Sequence, residues 1–193
     1  MGRIYIVMGK SASGKDTIYK RILEHRELGL KTVVGYTTRP IRTGETEGIE
    51  YRFVSWERFK ELEKEGRVIE FRIYHTVLGD WSYFTVADGQ IDLEHQDYLM
   101  LNTLEGYEKT CRYYGKDKVV PIYIEVEDGL RLSRALEREK QQAEPKYAEM
   151  CRRYLADEED FSSEKLLAAG IEKKYQNLDL EECLCQIIND IQK

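Results

Sequence analysis

The strongest constraint on the fold is an apolar segment that leads directly into a loop bounded by two glycines and followed by a lysine. Residues 4–8 are all apolar, which predicts a buried strand, and Ile18 and Ile22 then recur at helical spacing. The intervening loop has the pattern G-x-x-x-x-G-K, formed by Gly9, Lys10, Ser11, Ala12, Ser13, Gly14 and Lys15, with Asp16 and Thr17 next. Because the glycines let backbone N–H groups point inward and Lys15 adds a positive charge, this pattern predicts a phosphate-binding loop.

The rest of the sequence favours a soluble α/β protein. Short apolar runs alternate with longer helical segments, which predicts a parallel sheet covered by helices. The 193 residues suit one domain, or one core with an inserted flap. The net charge is -6, with 30 Lys+Arg against 36 Asp+Glu, so we expect neither a nucleic acid nor a membrane partner. The start of the chain does not resemble a signal peptide, which favours the cytoplasm, and the four cysteines form no Cys-x-x-Cys pair that would favour zinc.

The order of the apolar runs suggests where a flap and a lid lie. Further core strands are expected at 32–35, 98–101 and 119–126, and helices at 103–115 and 179–191. Pro121 has no backbone N–H to donate to a neighbouring strand, so we expect it near the start of its strand or in a strand at the edge of the sheet. Residues 36–89 depart from the alternation of short apolar runs and helical segments: strands are expected at 49–54, 68–74 and 81–86, and a helix at 56–65. This segment is predicted to be a flap, and the charged helical segment 128–160 is either a solvated hairpin or a lid that carries cations.

The residue after the loop lysine is unusual. A Ser or Thr normally stands there and ligates magnesium through its hydroxyl, whereas this chain has Asp16, followed by Thr17. A carboxylate is also a good ligand for Mg²⁺, so Asp16 and Thr17 are predicted metal ligands. The alternative is that Asp16 only stabilises the positive start of the helix.

A second motif occupies residues 37–53. It has the pattern T-T-R-x-x-R-x-G-E-x-x-G-x-x-Y-x-F, in which Arg39 and Arg42 lie three residues apart beside hydroxyl groups and Tyr51. Such a set supplies several charge-assisted donors for one phosphate. Together with the phosphate-binding loop, this motif closely resembles the guanylate kinases, as a divergent chain of the bacterial type.

The resemblance implies a P-loop NTPase fold with a central parallel sheet. It implies a core at 1–35 and 90–193, an inserted GMP-binding flap at 36–89, and a helical lid at about 128–160. The implied reaction transfers a phosphoryl group from ATP to GMP with Mg²⁺ as cofactor, a step of purine nucleotide metabolism. The residues that the resemblance implies are the loop residues Gly9 and Ser11 to Thr17 for ATP, Arg39, Arg42, Glu45, Tyr51 and Tyr83 for the acceptor phosphate, Glu70 and Thr85 for the base, and Lys15, Arg39, Arg134, Arg138 and Arg153 for catalysis.

Several positions depart from the family pattern. The family has a serine where this chain has Gly35, and the stretch from Glu70 to Gly79 is longer than usual. Two acidic residues of the third core strand are replaced by the sequence Leu101-Asn102-Thr103. Two rival functions therefore remain: a kinase for another nucleotide or small phosphorylated acceptor, and a catalytically silent module that binds phosphorylated ligands. The sequence does not predict an oligomeric state.

Overall fold

The protein is described from a computed structural model, which covers residues 2–42, 44–76 and 79–193. Strands and helices alternate along most of the chain. The strands are β1 (Ile4–Met8), β2 (Lys31–Thr32), β3 (Tyr36–Thr37), β4 (Arg52–Phe53), β5 (Val68–Thr76), β6 (Gly79–Val86), β7 (Tyr98–Leu101), β8 (Val119–Glu125) and β9 (Lys174–Gln176). The α-helices are α1 (Lys15–Glu24), α2 (Trp56–Lys64), α3 (Leu104–Tyr114), α4 (Asp128–Lys140), α5 (Tyr147–Asp160), α6 (Ser163–Ala169) and α7 (Leu180–Ile191).

A five-stranded parallel sheet forms the centre, with the strand order β2-β7-β1-β8-β9. Alternate side chains of β1 enter two separate cores. Ile4 and Ile6 pack with residues of α3 and α6, whereas Tyr5 and Val7 pack with residues of α1 and α7. The strand is buried on both faces, which is why its sequence is continuously apolar. The predicted α/β class with a central parallel sheet is confirmed.

A second sheet has four strands in the order β4-β3-β6-β5. Its long hairpin, β5 and β6, is antiparallel, and helix α2 covers one face of the sheet. Phe59 of α2 is fully buried and lies against Phe71 and Phe84 of the hairpin. All four strands fall within residues 36–89, the segment where the sequence departs from the alternation of strands and helices.

Two predicted strands need correction. Of the strand expected at 32–35, only Thr32 lies in a strand: Lys31–Thr32 pairs with the central sheet, whereas the next strand, Tyr36–Thr37, pairs with the second sheet. The strand expected at 49–54 is reduced to Arg52–Phe53. Pro121 is the third residue of β8, which agrees with its expected position near the start of the strand, and β9 pairs with β8 only from Tyr123 onward.

The predicted helix starts are supported by side-chain caps. Thr103 Oγ1 accepts a hydrogen bond from the Gly106 N–H at 3.3 Å, and Asp179 Oδ1 accepts one from the Glu182 N–H at 2.9 Å. The charged segment 128–160 contains α4 and α5, as its helical prediction implied. Within the described residues, the search for a helix with the length and apolar character to span a bilayer finds none.

Candidate functional site

The predicted phosphate-binding loop follows β1 at the carboxyl end of the central sheet. Two of its glycines allow close packing. A Cβ on Gly9 would lie 2.5 Å from the Ile124 carbonyl oxygen, and Gly14, at φ 85°, adopts the left-handed backbone conformation and leaves room for the Asn177 amide. Asn177 is buried and donates its Nδ2 hydrogen to the Ser13 carbonyl at 2.7 Å. The two glycines therefore let Ile124 and Asn177 pack closely against the loop.

The polar groups of the loop suit an anion. Ser13 Oγ is buried and has no hydrogen-bond partner in the described part of the chain. Lys15 begins α1, and its Nζ lies 3.2 Å from Asp16 Oδ2. The Asp16 side chain is two-thirds exposed and Thr17 is exposed. Because the Asp16 carboxylate has a hydrogen bond or ion pair with Lys15 alone among the described residues, its remaining lone pairs are available to a hard cation such as Mg²⁺.

Arg39 is the centre of the second motif. It is 4% exposed and makes a bidentate ion pair with Glu45, with Nη1–Oε2 at 2.7 Å and Nη2–Oε1 at 2.5 Å. Its Nε donates to the Tyr83 hydroxyl at 3.1 Å, and its guanidinium lies 5.3 Å from the Tyr51 ring centroid. The hydrogen bond from Arg39 lowers the pKa of Glu45 to about 2, so this pair is charged at neutral pH. Arg42 is exposed, and its N–H donates to Glu45 Oε2 at 2.8 Å.

Four of the five N–H groups of Arg39 have partners. Nε donates to Tyr83, Nη1 donates to the Pro40 carbonyl and to Glu45, and Nη2 donates once to Glu45. The second Nη2 hydrogen has no partner among the described residues. Arg39 is thus fixed in place and still has one donor for a ligand.

Glu70 and Thr85 face each other on the paired strands β5 and β6. The Thr85 hydroxyl donates to Glu70 Oε1 at 2.8 Å, and Glu70 is 4% exposed. Glu70 Oε2 is buried and has no partner in the described residues. A carboxylate oxygen in this position is costly unless a ligand donates to it.

The arginines of α4 and α5 are divided between two environments. Arg138 and Arg153 line a cavity of about 620 Å³ that also includes Ser11 of the loop. Arg153 donates to Glu149 at 2.8 Å, and the hydrogen bonds from Arg152 and Arg153 lower the pKa of Glu149 to about 2. Arg134 instead donates to the Asn177 carbonyl at 3.2 Å. Two of the three predicted lid arginines are therefore at the loop cavity.

A network between the loop and α5 was missed by the sequence analysis. Asp157 Oδ2 accepts a hydrogen bond from the Ser11 N–H at 2.7 Å, and Glu158 Oε2 lies 2.6 Å from Lys10 Nζ. Arg131 is 1% exposed and pairs with Asp128, Asp157 and Glu158. Its guanidinium also stacks 3.8 Å from the centroid of the Tyr154 ring. No sequence motif indicates this network, because 120 or more residues separate Ser11 from its partners Arg131 and Asp157.

The end of β7, the third core strand in the sequence, lacks the two acidic residues of the family pattern. Asn102 is buried, and its Oδ1 accepts the Thr103 N–H at 2.9 Å. Glu105 lies in the first turn of α3 and pairs with Lys109 at 2.7 Å. Within the described residues, neither side chain makes a hydrogen bond or an ion pair with the phosphate-binding loop.

Comparisons with known proteins agree with the motifs. The guanylate kinase family model matches residues 1–85. The guanylate kinase of Neisseria meningitidis serogroup A is 40% identical over 88 residues, which cover 46% of this chain and 40% of that protein. The guanylate kinase of Mycoplasma mobile is 35% identical over 113 residues and is covered to 56%, as is this chain. The crystal structure of guanylate kinase from Anaplasma phagocytophilum superimposes with a TM-score of 0.62 at 25% identity, over 99% of this chain and 85% of that one.

The predicted resemblance to guanylate kinases is confirmed by these matches. The chain spans about 40 to 56% of the length of these two curated relatives in the sequence comparisons. The family model includes the loop, the motif at 37–53, Glu70 and Thr85, and it ends before the lid segment. The assignment of the lid arginines therefore depends on their geometry in this chain.

Proposed function

We propose that this chain transfers the terminal phosphoryl group of ATP to GMP and releases ADP and GDP. The observation that carries this proposal is that two buried charged side chains at the second sheet have an unused hydrogen-bonding group within the described residues: Arg39 has one donor and Glu70 has one acceptor. The two groups suit the two ends of a nucleoside monophosphate: the guanidinium suits its phosphate and the carboxylate suits a base with N–H donors.

The donor site would use the loop after β1. The inner N–H groups and Lys15 would bind the outer phosphates of ATP, aided by the positive start of α1. Asp16 and Thr17 would hold Mg²⁺, which would neutralise part of the charge on those phosphates. The exposed Asp16 carboxylate fits that role.

The acceptor site would lie on the flap, for which we propose the boundaries 36–89. Arg39 would donate to the GMP phosphate through its remaining Nη2 hydrogen, with Arg42 and the hydroxyls of Tyr51 and Tyr83 beside it. Glu45 would hold Arg39 in position, since it satisfies two of the guanidinium donors. A phosphate oxygen of GMP would then attack the terminal phosphorus of ATP while the bond from that phosphorus to ADP breaks.

The lid would neutralise the group in transfer. Arg138 and Arg153 line the cavity above the loop and would close over the phosphates, thereby excluding water. Arg134 is bound to the Asn177 carbonyl and would have to exchange that partner to take part.

Base choice tests this proposal. Guanine offers an N1–H and an amino group to one carboxylate, whereas adenine presents a lone pair at N1, so Glu70 should select GMP over AMP. We would measure kcat/KM for GMP, AMP, CMP and UMP in a coupled assay. The wild type is expected to prefer GMP over AMP by more than about 100-fold, and Glu70→Gln should lose most of that preference. Glu61→Gln, at an exposed position of α2, is the matched control.

The same panel separates the rival functions. Equal use of AMP and GMP, or use of another monophosphate alone, would favour a kinase with a different acceptor. Binding of GMP without turnover of any monophosphate would favour the silent binding module, for which the missing acids of the third strand are the supporting observation.

A further inference from the structure

Strand β5 carries a second charged residue toward the acceptor pocket. Side chains alternate along a strand, so Arg72 lies on the same face as Glu70, while Phe71 between them packs into the flap core. On the paired strand, Thr85 is opposite Glu70 and Tyr83 is opposite Arg72. Arg72 therefore belongs to the face that holds the other acceptor residues.

Arg72 and Glu70 do not pair with each other. In the described part of the chain, Arg72 has no hydrogen bond or ion pair, and its Nε is buried. Glu70 Oε2 is likewise buried and unpartnered. A buried donor and a buried acceptor that stand side by side without pairing are costly in the free protein. Both groups are satisfied if a ligand presents an acceptor next to a donor.

Tyr51 lies near Arg72, because Tyr83 is opposite Arg72 on β6 and the centroid of the Tyr83 ring lies 5.5 Å from that of the Tyr51 ring. Gly35 is next to Tyr51: a Cβ built at Gly35 would lie 3.7 Å from the Tyr51 ring, so the glycine adds no side chain there. A base edge held by Glu70 on this face of the hairpin would therefore meet Arg72.

We propose that Arg72 is a specificity-determining residue that donates to a carbonyl oxygen on the acceptor base. This inference rests on the proposed function and names the substrate class as 6-oxopurine nucleoside monophosphates. In guanine, the O6 acceptor lies directly beside the N1–H and amino donors, which matches Arg72 beside Glu70. In adenine, an amino group takes the place of O6, so two donors would face each other.

The test is equilibrium binding of GMP, IMP and AMP without ATP, measured by calorimetry on wild type and Arg72→Met. IMP retains O6 and N1–H but lacks the amino group. A charge-assisted hydrogen bond predicts that Arg72→Met weakens GMP and IMP binding by about 10-fold to 100-fold and changes AMP binding less than about 3-fold. Arg58→Met, on the exposed surface of α2, is the matched control and should leave all three affinities unchanged. Arg72→Gln keeps a donor and should retain part of the selectivity.

The ratio of GMP to AMP affinity separates the outcomes, since a merely structural role would not change it. Equal weakening of all three nucleotides would show that Arg72 holds the phosphate, and unchanged affinities would show that it binds nothing; either result overturns the inference and leaves the proposed function standing. If wild type binds no GMP at all, the proposed function fails and this inference fails with it. Because the measurement is binding, a defect in phosphoryl transfer does not affect the result.

Discussion

Substitution of Asp157 by alanine is predicted to strengthen ATP binding. Asp157 Oδ2 accepts a hydrogen bond from the Ser11 N–H at 2.7 Å, so a carboxylate of α5 occupies a backbone donor of the phosphate-binding loop. This side chain is only 17% exposed, which limits how far solvent screens its charge. Phosphate oxygens and this carboxylate would compete for the same positive region, and ATP would have to displace it.

The size of the effect follows from the bond that ATP must break. A hydrogen bond to a charged group contributes about 1.5 to 3 kcal/mol net. Each 1.4 kcal/mol changes an affinity about tenfold, so Asp157→Ala should lower the Kd for ATP by about tenfold or more. The helix should persist because alanine is the best helix former, and Arg131 keeps Asp128 and Glu158 as partners.

The assay is calorimetric titration with a non-hydrolysable ATP analogue and Mg²⁺, with melting curves to verify the fold. Glu159→Ala is the matched control, because Glu159 is an exposed acid on the same helix and its removal changes the net charge equally. An affinity for the analogue that stays the same in Asp157→Ala would refute the reasoning. A weaker affinity would also refute it and would show that Asp157 serves to hold Arg131 for the nucleotide.

Three further predictions concern the loop and the acceptor arginine. Lys15→Ala should lower kcat by on the order of 100-fold or more with an unchanged melting curve, because one preorganised charge at the transferring group is lost; near-normal turnover would contradict the donor assignment. Asp16→Asn should raise the Mg²⁺ concentration for half-maximal rate, whereas a titration that does not shift would limit Asp16 to the helix start. Glu45 has its pKa lowered from 4.5 to about 2 by Arg39, so its stabilising effect is full above about pH 5 and is lost as the pH falls toward 2. Melting temperatures of wild type and Glu45→Gln should differ by a constant amount above pH 5 and converge below it, and a gap that persists near pH 2 would oppose this account.

The sequence predicted the elements whose burial is uniform. All five residues of β1 are buried, so its apolar run leaves little choice of structure, and the loop glycines and the cap at Thr103 are local signals. Strand β9 was missed, because only Tyr175 of its three residues is buried and the other two are polar and exposed. The strand expected at 32–35 was wrong beyond Thr32, because the chain leaves the central sheet there and next pairs, at Tyr36–Thr37, with the second sheet. Such pairing depends on distant strands and leaves no periodic signal in a short stretch.

The site was predictable where residues form a compact motif and unpredictable where distant charges meet. Arg39 and Glu45 are six residues apart, and their pairing follows from one local segment. The contact of Asp157 with Ser11 joins residues 146 positions apart, and the acidic residues of α5 have the pattern of any solvated helix face.

The two contacts also differ in their effect on ligand binding. Within the described residues Arg39 keeps a free donor beside Glu45, so at the proposed acceptor site a phosphate would bind without displacing that carboxylate, whereas Asp157 occupies the Ser11 donor and would have to leave before a phosphate could use it. On this reasoning, the acceptor site is ready to bind in the free protein, and the donor site carries a cost that α5 imposes.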